Sequence, residues 1–188
     1  LTVLCDEALY KMCLEPTVKY DSINYNLKID LKSTVAFDCI AKLLSGDAEA
    51  IILGRDYSKR EDSLMQAYKI KPHMRLPIAY DALVFYTNAD NPIDTITDVQ
   101  LKEIFNNNKA SLSQYNSKMG TPEFVCNSEL SSEYFNFKKF ILKDNKSAIK
   151  LKYYSTSDSV LKYVAANKNA IGIGYLSQLY GQADLKPI

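Results

Sequence analysis

The chain has 188 residues, which suits one ordinary domain or two small lobes of about 90 residues each. It is 47% hydrophobic and 24% charged, a balance that can bury a core and excludes a disordered or fibrous chain. A formal net charge of +1 with dispersed lysines excludes a general attraction to nucleic acid or anionic membrane, and no apolar run reaches the roughly 20 residues of a membrane span.

Val3 to Cys5 reads as a short apolar strand, and Asp6 and Glu7 open a helix to about residue 20, where acidic side chains favour the macrodipole. Residues 24–31 alternate Tyr25, Leu27, Ile29 and Leu31 with polar neighbours, the pattern of a half-buried strand. Ser33 and Thr34 stand where they can cap the next helix, whose apolar Val35, Cys39, Ile40, Leu43 and Leu44 recur at helical spacing before Gly46. Residues 48–53 form a third strand, the turn Gly54-Arg55-Asp56 follows, and a polar helix covers about 58–68. This β-α-β-α-β order with short connections predicts a mostly parallel sheet, with ligand-facing junctions at the carboxyl ends of its strands.

Residues 74–80 and 82–86 read as two strand-like runs hinged at Asp81. Thr97 and Gln100 form a capping pattern ahead of Leu101, Ile104 and Phe105, and the polar stretch 106–122 reads as a surface loop. A strand at 124–126 is followed by a helix capped by Ser131 or Ser132, then a strand at 151–154 and a helix capped by Ser157. A small strand at 170–175 and a short tail helix end the chain.

Cys5, Cys13, Cys39 and Cys126 lack metal-type spacing. They read as buried thiols, with one disulfide among the first three as the alternative. The single histidine, His73, is far in sequence from any nucleophile at a sharp turn, and no phosphate loop, nucleophile elbow or metal-ligand pair is present. Asp6 and Glu7 are paired carboxylates, but nothing specifies a substrate, so the expectation is a protein without catalysis, metal or cofactor.

The run Pro77 to Asn88, then Asn91-Pro92, then Ile96-Thr97 with Gln100-Leu101 and Ile104-Phe105, forms one recognisable pattern. Val160-Leu161, Tyr163-Val164 and Ala170-Ile171-Gly172-Ile173-Gly174-Tyr175-Leu176 form another, and Leu43-Leu44-Ser45-Gly46-Asp47 with Arg55-Asp56 a third. In this order they resemble the phosphate-type, type II periplasmic solute-binding proteins of bacterial ABC transporters. The resemblance implies an α/β, two-lobed fold, each lobe a mostly parallel sheet flanked by helices, joined by two crossing segments and closing on a small ligand. It implies residues 1–81 with 168–188 as the first lobe and 82–167 as the second. It further implies a bacterial periplasmic or cell-envelope monomer, secreted or lipid-anchored, that hands phosphate or a related small anion to an ABC-transporter permease.

A dehydrated phosphate needs many donors, supplied by helix N-termini, hydroxyls and an arginine. By the resemblance, Ser33 and Thr34 occupy one such position, Asp56 the place of a proton-accepting carboxylate, and Ser131 with Ser132 a helix start. Arg55 either turns inward toward the anion or makes a solvated salt bridge to a nearby acid. The chain departs from the pattern at Asp6 and Glu7, where hydroxyls are expected, at Asn127 in place of an arginine, and at Glu133 in place of a threonine. A carboxylate about 4 Å from an anion repels it by roughly 4 kcal/mol at an effective dielectric near 20. The alternative function is therefore a sensory or interaction module that keeps the fold and binds another solute or a protein partner.

Overall fold

In the computed structural model, which describes residues 1–106 and 122–188, the chain divides into two units, Leu1–Tyr80 and Asp81–Ile188. The chain passes from one unit to the other once, at Tyr80–Asp81.

The first unit is built as the alternation of strands and helices predicts. β1 (Thr2–Asp6), α1 (Glu7–Ile23), β2 (Asp30–Thr34), α2 (Ala36–Ser45), β3 (Ala50–Ile52) and α3 (Lys59–Ala67) follow in order, and the three strands form a parallel sheet ordered β2-β1-β3. β1 is central and apolar; β2 is an edge strand whose Asp30 and Lys32 face solvent, as edges commonly do. Leu4 packs on Cys39 and Ala48, with Ile51 and Leu53 around them. Gly46 ends α2 in the left-handed conformation (φ +83°), donating its N–H to the Leu43 and Lys42 carbonyls.

The second strand differs from the alternation read over 24–31. β2 is 30–34, because it pairs with β1 from Thr2↔Asp30 to Asp6↔Thr34 and so takes its register from that partner. Tyr25 and Leu27 lie exposed in the connection instead. Ser33 and Thr34 consequently end β2 and do not cap α2, whose first turn has Val35 as N-cap with no side-chain cap. The stretch 74–80 is likewise not a strand, and its Met74, Leu76, Ile78 and Tyr80 are exposed.

The second unit is one five-stranded sheet, ordered β6-β5-β7-β4-β8. It comprises β4 (Leu83–Asn88), α4 (Asp98–Asn106), β5 (Glu123–Asn127), α5 (Ser132–Phe140), β6 (Lys152–Tyr154), α6 (Ser157–Ala166), β7 (Ala170–Tyr175), a 3-10 turn (Leu176–Leu179) and β8 (Leu185–Pro187). Residues 107–121 of the polar stretch read as a loop lie outside the described residues. On one face Phe85, Phe105, Phe124 and Phe137 pack mostly edge to face, Phe105 4.8 Å from both Phe124 and Phe137. On the other, Tyr86, Val125 and Ala170 meet Val160, Leu161 and Val164 of α6.

The segment 168–188, assigned with the first lobe by resemblance, belongs to the second unit. β7 is fully buried, parallel to β5 and antiparallel to β4, and β8 pairs with β4. The pairing depends on small residues: Gly172 lies opposite Tyr86, and a Cβ there would sit 2.3 Å from the ring carbons of that buried side chain. Gly172→Ala is expected to destabilise the second unit by about 1–3 kcal/mol through overpacking, read as a lower urea midpoint.

Candidate functional site

At the carboxyl ends of the first sheet stand the residues the sequence singled out. Asp6 ends β1 almost fully buried, and its Oδ2 accepts the Gly54 N–H at 3.4 Å, linking the ends of β1 and β3. Glu7 opens α1, where its negative charge faces the helix dipole favourably. Ser33 is exposed and Thr34 half-buried, with Thr34 Oγ1 3.5 Å from Asp38 Oδ2 in the first turn of α2. Asp56 is exposed in the turn after β3.

Arg55 pairs with a nearby acid, as one of its two readings has it, but the pair is buried and not solvated. Its Nη1 and Nη2 each donate at 2.8 Å to a different carboxylate oxygen of Glu61, and Nη1 also donates to the Asp56 carbonyl at 2.9 Å. The two side chains are only 4% and 8% exposed, so this is a buried bidentate ion pair. Glu61 in turn accepts the Ser58 N–H while Ser58 Oγ accepts the Glu61 N–H, a capping box that starts α3. Burial opposes the charge on Glu61, but the Arg55 and Ser58 hydrogen bonds prevail and hold its carboxyl below the ordinary range.

The second unit gathers four of the singled-out residues at the end of β5 and the start of α5. Ser131 is the N-cap of α5, its Oγ accepting the Tyr134 N–H. Ser132 follows fully buried, with no hydrogen-bond partner for its hydroxyl among the described residues. Asn127 is buried at the end of β5; its Oδ1 accepts the Ser128 N–H at 2.7 Å and its Nδ2 donates to Ser157 Oγ at 3.2 Å. Ser157 Oγ donates to Glu133 Oε1 at 2.8 Å, and Gln178 Nε2 donates to the same oxygen at 3.1 Å.

Glu133, 1% exposed, thus receives donors from α6 and from the 3-10 turn while standing in the first turn of α5. The first turn of a helix is where its dipole favours a carboxylate. Burial first, and then this carboxylate, raises the Cys126 thiol well above its ordinary value; burial, Cys126 and Glu133 together raise the Tyr86 phenol.

Ser157, read as a cap, is the first residue of α6, and Thr156 is the cap, accepting the Ser159 N–H at 3.2 Å. Gln178 carried no sequence signal, because its role depends on a chain reversal that brings it 45 residues back to Glu133. The four cysteines are free and buried. His73 meets Tyr57 Oη at 2.8 Å, and Arg75 lies over the Tyr57 ring, which ties the 70–80 segment to the start of α3. Among the described residues no group of His, Cys, Asp and Glu is arranged to hold a metal ion, and no helix is long and apolar enough to cross a membrane.

No curated protein matches the chain. Among solved structures, a protein from Clostridium perfringens described as a phosphate ABC transporter substrate-binding protein, with phosphate bound, superposes with TM-score 0.83 at 18% identity, over 100% of this chain and 74% of that one. An ABC-type phosphate transport receptor from Vibrio cholerae gives TM-score 0.69 at 16% identity, over 100% and 75%. The CcmR regulatory domain of Synechocystis, in complex with 2-PG, gives 0.70 at 9% identity, over 100% and 78%. At such identities the likeness speaks for the fold, that of the type II periplasmic-binding proteins. The sequence profile described as the PBP superfamily domain matches residues 1–187, and the chain belongs to that family.

Proposed function

We propose that this protein captures a small solute for an ABC-type permease, and that the solute is inorganic phosphate or a related small oxyanion. The observation that carries this reading is Ser132, a fully buried hydroxyl without a partner among the described residues, at the start of a nine-residue helix capped by Ser131. Leaving such a group unsatisfied costs about 1–3 kcal/mol. A helix N-terminus is electropositive and carries free N–H groups. An oxyanion there satisfies the hydroxyl and the backbone together. In the first unit, taken by itself, Ser33, Thr34 and Asp56 remain candidate ligand residues: two hydroxyls, and a carboxylate of the kind that accepts the proton of monohydrogen phosphate and disfavours fully ionised sulfate. The protein works as a monomer in the bacterial cell envelope, secreted or lipid-anchored.

A second reading rests on Glu133, Asp6 and Arg55. Each unit buries one carboxylate after a strand, Asp6 in the first and Glu133 in the second, and within the first unit the Arg55 guanidinium is taken up by Glu61. That electrostatic balance favours a binding-protein-like sensory or interaction module that no longer takes phosphate. Calorimetric titration of phosphate-stripped protein with phosphate, with sulfate as control, separates the two. The first reading expects saturable binding, selective over sulfate and weakened at least tenfold by Ser132→Ala; no heat at millimolar phosphate leaves the second.

A further inference from the structure

Three of the four cysteines lie in the first unit, and their placement on either side of β1 differs. Successive side chains of a strand point to opposite faces. Leu4 packs against Cys39 of α2, so Cys5, the next residue, points to the other face. There Cys13 lies on the buried side of α1 with Ala8 and Leu9, and the two thiols act on each other's titration. Both are buried in the packing of a strand against the helix that directly follows it.

We propose that Cys5 and Cys13 form a disulfide that fastens β1 to α1 when the chain meets a disulfide-bearing oxidant. The Cys13 thiolate attacks one sulfur of the oxidant, forming a mixed disulfide and releasing one oxidant thiolate, which takes up the proton lost from Cys13. Cys5 then gives up its proton, its sulfur displaces the second oxidant thiolate from Cys13, and that thiolate is protonated in turn. Two cysteine thiols and one oxidant disulfide become one protein disulfide and two oxidant thiols. The order of attack follows from the unequal effect of the pair on its two members. Cys5 brings the Cys13 thiol down to about 7 against the opposing effect of burial, while Cys13, reinforced by burial, raises Cys5. Cys39 is a poorer competitor, because burial and the Asp6 charge push it up to about 12. The cross-link encloses Asp6 and Glu7 and so fixes the first strand-to-helix junction, whatever ligand the protein takes.

The test uses the wild-type chain and oxidised glutathione, both on the folded protein and during refolding from urea, where access to buried thiols is not limiting. Alkylation in denaturant is expected to count two free thiols in place of four. Lys11 separates the two cysteines, so trypsin should yield peptides 1–11 and 12–19 joined, with the mass of two hydrogens lost. The same linked pair should persist in Cys39→Ser/Cys126→Ser and vanish in Cys13→Ser. Four alkylated thiols after both treatments, or a link that joins Cys39 in the wild type, overturns the proposal.

Discussion

Replacing Arg55 by methionine is expected to destabilise the first unit by about 3–5 kcal/mol, because it leaves the Glu61 carboxylate buried without its cation. Methionine keeps most of the stem volume, so the loss reports the charge and not a cavity. Hydrogen exchange across α3 (Lys59–Ala67), whose first turn contains Glu61, measures it locally. In the wild type the folded Glu61 titrates below its ordinary value of 4.5, so its contribution is complete above that pH and is lost as the pH falls through the lower folded value. In Arg55→Met the hydrogen bonds from Arg55 are gone and burial dominates, which raises the folded carboxyl above the unfolded one. The variant should therefore recover part of its deficit on acidification, where the wild type loses stability. Adding Glu61→Gln to Arg55→Met should restore much of the loss at neutral pH. An Arg55→Met protein with unchanged exchange in α3 would show that the ion pair contributes nothing net.

Arg55 also shows where sequence reading stops. The alternation of strands and helices in the first 67 residues, the Gly46 stop and the Thr97–Gln100 capping box are local signals, and the structure carries each of them. The Arg55–Glu61 pair is six residues apart, a spacing with no helical or strand meaning, so both an inward-turning arginine and a solvated pair were open. β2 slipped for a different reason. Tyr25, Leu27 and Ile29 alternate as a strand would, but β1 fixes which residues pair, and it selects 30–34. Ser33 and Thr34 moved from helix caps to a strand end with that slip. Ser131 kept its cap because the cap itself is a local hydrogen bond, to the N–H three residues on. The network around Glu133 spans separations of 24 and 45 residues, and only the assembled sheet brings Ser157 and Gln178 to it.

Neutralising Glu133 is the change expected to move ligand affinity most. Glu133→Gln keeps an oxygen to accept from Ser157 Oγ and Gln178 Nε2, so the second unit should stay folded, with Gly172 and Tyr86 still in register. What it removes is one negative charge beside the start of α5. A carboxylate about 8 Å from a bound anion opposes it by roughly 2 kcal/mol per unit charge at an effective dielectric near 20, which is about thirtyfold in Kd. Phosphate titrated into wild type and Glu133→Gln under the same salt should differ by at least tenfold, with the variant tighter. Tight wild-type binding that tightens further would make Glu133 a brake on an anion site that still works. Binding that exists only in the variant would mean that this internal carboxylate has taken over the helix-end potential that an oxyanion would use, as the second reading holds. Equal affinity in both, at any strength, would place the anion away from α5 and remove Ser132 as its anchor.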